Sequence, residues 1–227
     1  MNATDQPATI RDHSPRDDRA GLSLRERRRQ ATVNEIGEAA LDLFEIQGVA
    51  ATTIADIARA TGISDRTFFR YFSSKEETVL DFQQWFDAPT RAWLGDGRSE
   101  QPVLEQLETV CIGVLRELDG PRSEAAARLR RIRKLMKSEP SLRALSAMHD
   151  DQHAHALADQ IVLHFDGRVS LLEARLAAQI VGVGLRAACE DWSTRLDQHE
   201  AATLEASYRL VRDTIASLVT PANPHHP

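Results

Sequence analysis

The side chains best suited to chemistry in this sequence cluster just after Gly62, and they are hydrogen-bonding groups rather than nucleophiles. The guanidinium of Arg66 offers two parallel donors, which match the acceptors on the edge of a guanine base. The methyl and hydroxyl groups of Thr67 fit a thymine methyl or a polar base edge. If Phe68 and Phe72 point inward on a helix, its outer face could enter a major groove. The residues wholly or partly on that outer face are Asp65, Arg66, Thr67, Phe69, Arg70 and Tyr71.

Two short helices that meet across a tight turn would present this face. Apolar residues from Ile54 to Ala58 recur at the spacing of one helix side, and Gly62 then breaks the run. Thr53 can cap the first helix, with Asp56 in the capping-box position, and Ser64 can cap the second. The pattern predicts a helix-turn-helix unit.

Polar groups beside this unit could bind phosphates, which fix the register of a protein on DNA without specifying its sequence. Thr53, Tyr71 and Lys75 lie at the ends of the predicted helices. A run of arginines between residues 25 and 29, which includes Arg28, stands at the start of the first helix. Two interpretations of this run stay open: a solvated helix start, or a basic arm that contacts the backbone or the minor groove.

The segment from Leu41 to Val79 resembles the amino-terminal DNA-binding domain of the TetR family of bacterial transcriptional regulators. The motifs that carry the resemblance are Leu-Phe-x-x-x-Gly, Thr-Ile-x-x-Ile-Ala-x-x-x-Gly-Ile-Ser, Phe-x-Tyr-Phe and Ser-Lys-Glu. Phe69 departs from the family, which often has tyrosine there, and Asp65 places an anion near a helix start. Together with the residue pattern, the resemblance implies DNA binding by Arg28, Thr53, Ser64, Arg66, Thr67, Phe69, Arg70, Tyr71 and Lys75.

The whole chain is predicted to be all-α, with about nine helices in two domains. We expect a flexible arm at 1–22, a three-helix DNA-binding domain at 23–78, a larger effector-binding and dimerisation domain at 79–220, and a flexible tail at 221–227. The first helix should end at Gln47, before Gly48, and the fourth should run from a Ser74–Glu77 capping box to Pro89. The later helices are predicted at 102–118, 123–137, 141–165, 170–195 and 200–219.

Charge and cysteine content narrow the function classes. The net charge is −6, and residues 1–75 carry eleven cations and eleven anions, so the acidity belongs to the rest of the chain. This excludes a general nucleic-acid coat protein but permits local DNA binding. Cys111 and Cys189 form no paired motif, and no stretch resembles a signal peptide or a membrane span. We expect a cytoplasmic protein without membrane contact or cofactor.

A pocket for a small-molecule effector is expected among helices four to seven, although each candidate residue could equally be core. The candidates are Trp85, Phe86, Trp93, Cys111, Leu115, Met136, Met148 and His149. Helix six carries five cations, which are either a solvated face or a site for an anionic effector such as a phosphate-bearing thioester. These cations are Arg130, Arg131, Arg133, Lys134 and Lys137.

Small and branched residues share one face of the eighth helix and could form a self-complementary dimer contact. They are Ala174, Ala178, Val181, Gly182 and Leu185. The alternative is an ordinary internal core helix. Two copies would place two recognition helices about one DNA turn apart, which predicts a palindromic operator.

Two function classes therefore remain. The first, implied by the resemblance, is a homodimeric repressor that binds double-stranded operator DNA and is released by a small-molecule effector. The second is a helical-bundle enzyme or metal-binding protein, in which His149 and His153 could share an ion. No third metal ligand and no catalytic motif is evident beside them, so we expect no metal site and no enzyme.

Overall fold

Nine α-helices and no strand make up the part of the chain that the structure describes. The computed structural model describes residues 24–80, 82, 84–96, 100–120 and 123–219, so the predicted arm and tail lie outside the described residues. The helices are α1 (Leu24–Gln47), α2 (Ile54–Ala60), α3 (Asp65–Phe68), α4 (Gln84–Asp96), α5 (Val103–Leu118), α6 (Glu124–Ser138), α7 (Pro140–His164), α8 (Leu171–Asp197) and α9 (Leu204–Val219). The all-α fold class is confirmed.

The local signals of the amino-terminal helices act as predicted. Gly48 adopts a φ of +83° after α1 and Gly62 a φ of +66° after α2, a backbone region that glycine enters at little cost. The capping box at the start of α2 is present in both directions between Thr53 and Asp56. Ser64 caps α3 by accepting a hydrogen bond from the backbone N–H of Thr67. These contacts build the helix-turn-helix unit from neighbouring residues alone.

The fourth helix was predicted wrongly at both ends. After α3 the chain forms a 3-10 turn at Glu76–Val79, and α4 begins only at Gln84. Ser74 Oγ accepts from the Glu77 N–H, but the Glu77 carboxylate accepts from Ser73, so the predicted box is only half formed. The helix also continues through Pro89. Proline removes one N–H from a helix. Phe86 and Leu94, on either side of Pro89, are buried in the same core, and this burial stabilises α4.

Two hydrophobic cores organise the described residues. The first is formed by α1, α2, α3 and the 3-10 turn, and it also takes in Ile132, Leu135 and Met136 from α6 and Leu142 from α7. The second core is formed by α4, α5, α7, α8 and α9, and it also includes Leu129 from α6. Because α6 contributes to both cores, it connects the amino-terminal domain to the larger domain.

The remaining helices match their predicted bounds within a few residues, apart from the start of α9 at Leu204 rather than 200. The Asp119 carboxylate, which follows α5, accepts hydrogen bonds from the backbone N–H groups of Leu204 and Glu205 at 2.7 and 2.8 Å. A side chain 85 positions away in sequence thus caps this helix. None of the described helices has the length and apolar character that a membrane crossing requires.

Candidate DNA-binding surface and effector cavity

The outer face of α3 is presented by two aromatic anchors. Phe68 is fully buried and Phe72 is 8% exposed, and their ring centroids lie 5.7 Å apart. Asp65, Arg66 and Arg70 are exposed, as is Phe69, whereas the predicted outer residues Thr67 and Tyr71 are half-buried. The anchors fix the orientation of α3, so its polar face points to solvent.

The groups on this face differ in whether they already make hydrogen bonds within the chain. Arg66 makes no hydrogen bond or ion pair with the described residues, so both of its outer nitrogens can meet a ligand. Arg70 Nη2 donates to the Tyr71 hydroxyl at 3.0 Å, and its guanidinium carbon lies 4.9 Å from the centre of the Tyr71 ring. The Thr67 hydroxyl lies 2.9 Å from Ser64 Oγ. Arg66 is therefore the best placed of these groups to bind a base edge.

Thr53 and Ser64, both predicted to contact DNA, have structural roles in this chain. Thr53 donates to the Asp56 carboxylate through its backbone N–H at 3.0 Å and through its hydroxyl at 2.6 Å. These hydrogen bonds lower the pKa of Asp56, because they favour its charged form. Both hydroxyls lie at helix starts, where a backbone phosphate could approach. Their contact with DNA stays a prediction.

Lys75 was predicted to bind phosphate, and the structure engages it inside the domain. Its Nζ donates to the carbonyl of Val49 at 2.6 Å and to the carbonyl of Thr52 at 2.7 Å. Both carbonyls belong to the turn between α1 and α2. An ammonium group has three donors, and two of them hold this turn in place. No local pattern indicates this contact, because it joins residues 23 and 26 positions apart.

The basic run lies on the first turns of α1. Arg25, Arg27, Arg28 and Arg29 are all exposed. The exposure is compatible with both interpretations, so a phosphate contact by Arg28 stays a prediction.

A cavity of about 370 Å³ lies in the larger domain among α4, α5, α6, α7 and α8. Its walls are mainly apolar, and typical contributors are Phe86, Leu107, Leu129, Leu157 and Val181. Of the eight predicted pocket residues, the cavity is lined by Trp85, Phe86, Cys111 and Met136. The volume falls within the range of small-molecule sites.

The other four predicted pocket residues do not line the cavity. Trp93 donates through Nε1 to Gln106 Oε1 at 2.9 Å and packs against the ring of Phe165. Leu115 is fully buried in the second core, and Met148 is 48% exposed. His149 points instead toward the 3-10 turn. Periodicity identified these residues as apolar or amphipathic but could not tell which side of each helix faces the cavity.

Four of the five cations predicted on helix six contact carboxylates of neighbouring helices, and the fifth, Lys134, is exposed. Arg131 contacts Glu38, Asp42 and Glu45 on α1, and the hydrogen bonds to Glu45 do most to raise its pKa. Lys137 Nζ lies 2.6 Å from Asp197 Oδ2, and Arg130 Nη2 lies 3.7 Å from Asp197 Oδ1. The contacts of Arg130, Arg131 and Lys137 lie between helices rather than in the cavity.

Two arginines in the cavity wall are paired with carboxylates. Arg133 Nη2 lies 3.2 Å from Glu190 Oε1, and Arg186 Nη1 lies 2.9 Å from Asp150 Oδ2. Both cysteines line the same cavity, and burial raises the pKa of each thiol, that of Cys189 to about 12. The thiols are therefore neutral and weakly reactive near neutral pH.

The two histidines considered as metal ligands have different surroundings, since His153 lines the cavity and His149 does not. His149 Nε2 lies 3.9 Å from Glu77 Oε1, in the 3-10 turn that follows α3. Among the described residues, no group of three or more His, Cys, Asp or Glu side chains is placed to hold a metal ion.

Three of the five residues predicted for the dimer face of α8 are buried within the single chain, as the alternative of an internal core helix expects. Ala174, Ala178 and Val181 are at most 9% exposed within a single chain, and Gly182 and Leu185 are half-buried. Four of the five, all but Ala174, line the cavity. Small residues allow close packing of any helix, so the pattern could not tell an internal neighbour from a second copy. The opposite face of α8 exposes Leu172, Leu176 and Val183.

Comparison with known proteins agrees with this description of the amino-terminal domain. Residues 36–81 match the bacterial regulatory proteins of the tetR family. The chain is 42% identical over 77 residues to the HTH-type transcriptional regulator TcmR of Streptomyces glaucescens, covering 34% of this chain and 31% of that protein. It is 47% identical over 49 residues to MftR of Mycobacterium tuberculosis, covering 22% of this chain and 25% of that protein. The matches span less than a third of either relative.

The likeness extends to the whole fold in one solved structure. The structure of SmeT in complex with triclosan aligns with 87% of this chain and 99% of the SmeT chain, with 18% identity and a TM-score of 0.50. SmeT is described as the repressor of a multidrug efflux pump of Stenotrophomonas maltophilia. The capped helix-turn-helix unit and the matched segment together identify residues 36–81 as a DNA-binding segment of the kind found in the tetR family of bacterial regulatory proteins.

Proposed function

We propose that this protein is a homodimeric repressor that binds a palindromic DNA operator through α3 and is released when a small molecule fills the cavity. The observation that carries the DNA-binding part is the exposed outer face of α3, on which Arg66 has no competing partner among the described residues. A guanidinium in the major groove can donate two hydrogen bonds to one guanine. The acidity of the rest of the chain keeps non-specific binding weak.

The experiment that tests DNA binding is selection of duplexes from a random pool by the purified protein. Arg66→Ala should weaken binding to the selected duplex by about 1–3 kcal/mol and relax the preference at one base pair of each half-site. Lys134→Ala is the control, because it removes an exposed cation of the larger domain. Its affinity should equal that of the wild type. Enrichment of no duplex at moderate salt would refute the function.

A second copy is proposed to dock on the outward faces of α8 and α9. Each helix carries large apolar side chains that are at least half exposed and spaced four, seven or eight positions apart, as one helix face requires. They are Leu172, Leu176 and Val183 on α8 and Leu210 and Leu218 on α9. Since the two helices pack side by side, two copies would meet as a four-helix contact with a two-fold axis.

The effector is proposed to be an uncharged, largely apolar molecule. The arginines Arg133 and Arg186 in the wall already have carboxylate partners, so an anion bound to either of them would have to break an ion pair. Among the cations of α6, Arg130, Arg131 and Lys137 contact acids on α1 or α8. This geometry disfavours a phosphate-bearing thioester. The SmeT structure that shares this fold was solved with triclosan.

Two fluorescent probes test this ligand class, because N-phenylnaphthylamine and anilinonaphthalenesulfonate share one skeleton and differ in a sulfonate. The neutral probe should bind at least roughly tenfold more tightly, since the sulfonate would enter without a partner. Leu157→Trp narrows the cavity and should weaken binding, whereas Leu163→Trp, on the exposed side of the same helix, should not. If both probes bind with equal affinity and Leu157→Trp weakens the binding of both, the cavity accepts anions.

A further inference from the structure

Arg128 of α6 reaches from the cavity wall into the amino-terminal domain. Its side chain lines the cavity and is only 11% exposed. Its Nη2 donates to the carbonyl of Thr78 in the 3-10 turn at 3.1 Å. Its Nε lies 3.1 Å from Glu38 Oε1 on α1, as an ion pair rather than an aligned hydrogen bond. One guanidinium therefore contacts the cavity and two elements of the amino-terminal domain.

Gly37 makes room for this guanidinium. A Cβ at position 37 would lie 2.1 Å from Arg128 Nη2 and 2.8 Å from the carbonyl oxygen of Thr78. No side chain can be accommodated at those distances unless both Arg128 and the Thr78 carbonyl move. Gly37 lies inside α1, where glycine costs about 1 kcal/mol relative to alanine. The close approach of Arg128 gives a physical reason for glycine at this position.

From Thr78 the contacts continue to the start of the helix-turn-helix unit. The Thr78 hydroxyl donates to the carbonyl of Lys75 at 2.6 Å. Lys75 Nζ donates in turn to the carbonyls of Val49 and Thr52, immediately before the N-cap of α2. A continuous series of hydrogen bonds thus connects the cavity wall to the turn that sets the position of α2 and α3.

We propose that Arg128 couples occupation of the cavity to the position of α3, which makes it a positioning residue for DNA release. The proposal rests on the proposed function above. A ligand shifts a protein between two states only through different contacts in the two. The aliphatic part of a buried arginine packs readily against an apolar ligand. A ligand that packs there favours a side-chain conformation that withdraws Nη2 from the Thr78 carbonyl, which releases the 3-10 turn and the Lys75 contacts beyond it.

The experiment measures how strongly the neutral probe N-phenylnaphthylamine changes affinity for the duplex selected by the wild-type protein. The proteins compared are the wild type, Arg128→Met, Gly37→Ala, the double variant and the control Arg130→Met. The control removes a half-exposed arginine of the same helix that pairs with Asp197. In the wild type and the control, saturating probe should weaken DNA binding by about tenfold, within the usual range of coupling between two sites.

In Arg128→Met and Gly37→Ala the probe should still bind, as its fluorescence reports, but should change DNA affinity less than about twofold. A merely structural arginine would lower stability and leave the probe effect intact. The double variant should bind DNA no more weakly than either single variant, because both substitutions remove the same contact between Arg128 and the Thr78 carbonyl. This comparison needs no probe, and additive effects would show that Arg128 does not act on DNA binding through the contact beside Gly37.

Three results would overturn the coupling role. They are a full probe effect in Arg128→Met, probe bound to the wild type without any change in DNA affinity, or additive effects of the two substitutions on DNA binding. Each of these leaves the wild-type protein binding its selected duplex, so the failure is distinguishable from failure of the proposed function. Absence of a selected duplex would instead refute both.

Discussion

Lys75→Met tests whether the Lys75 ammonium holds the turn between α1 and α2. The substitution keeps most of the aliphatic side chain and removes the donors to the carbonyls of Val49 and Thr52. A hydrogen bond from a charged group contributes about 1.5–3 kcal/mol, and half-burial places these two toward the low end. Water can also reach the abandoned carbonyls in part. We therefore expect a loss of about 2–3 kcal/mol in the free energy of unfolding.

For a chain of this size, each kcal/mol corresponds to about 2–4 °C in the unfolding midpoint, so the expected decrease is about 5–10 °C. Thermal and urea unfolding, followed by helical circular dichroism, measure it. Arg66→Met is the matched control, because it removes an exposed cation without a partner among the described residues and should leave the midpoint unchanged. Equal midpoints for Lys75→Met and the wild type would refute the structural role of this ammonium.

A phosphate contact by Lys75 predicts a separate effect on folded protein, measured well below the unfolding midpoint. Each phosphate contact contributes about −0.9 to the slope of log affinity against log salt concentration. Loss of one contact should therefore reduce the slope by about one and weaken binding to every duplex alike. An unchanged slope, together with the lower midpoint, would assign Lys75 to folding alone.

Thr53→Ala removes the capping box of α2 and should cost about 1 kcal/mol in urea unfolding; an unchanged midpoint would show that the cap contributes nothing. Hydrogen bonds from Arg116, and to a smaller extent from Arg209, lower the pKa of Glu205 from 4.5 to about 2. Because the unfolded chain takes up this proton first, the stabilisation is complete above pH 4.5 and lost as pH falls toward about 2. Glu205→Gln should flatten the decline of unfolding midpoint with falling pH in that window, and an unchanged decline would contradict the assignment. Leu176→Asp should yield monomers in sedimentation equilibrium, whereas Leu163→Asp, on the exposed side of α7, should not; a dimer in both variants would exclude this interface.

Sequence alone determined the helix-turn-helix unit almost residue by residue. Its signals, such as Thr53 with Asp56, Ser64 before α3, and the glycines 48 and 62, act between residues at most five positions apart. Hydrogen bonds of that span depend on local backbone geometry, which the chain itself specifies. The orientation of α3 was predicted from Phe68 and Phe72, since residues four positions apart lie on the same helix face.

Tertiary structure decided what each amphipathic helix packs against. Small residues such as Ala174 and Ala178 are buried within the chain, Lys75 binds carbonyls in a distant turn, and Asp119 caps the start of α9. An apolar or charged face specifies that it needs a partner but not which one. The choice depends on how whole helices pack, and therefore on contacts between residues that are dozens of positions apart in sequence.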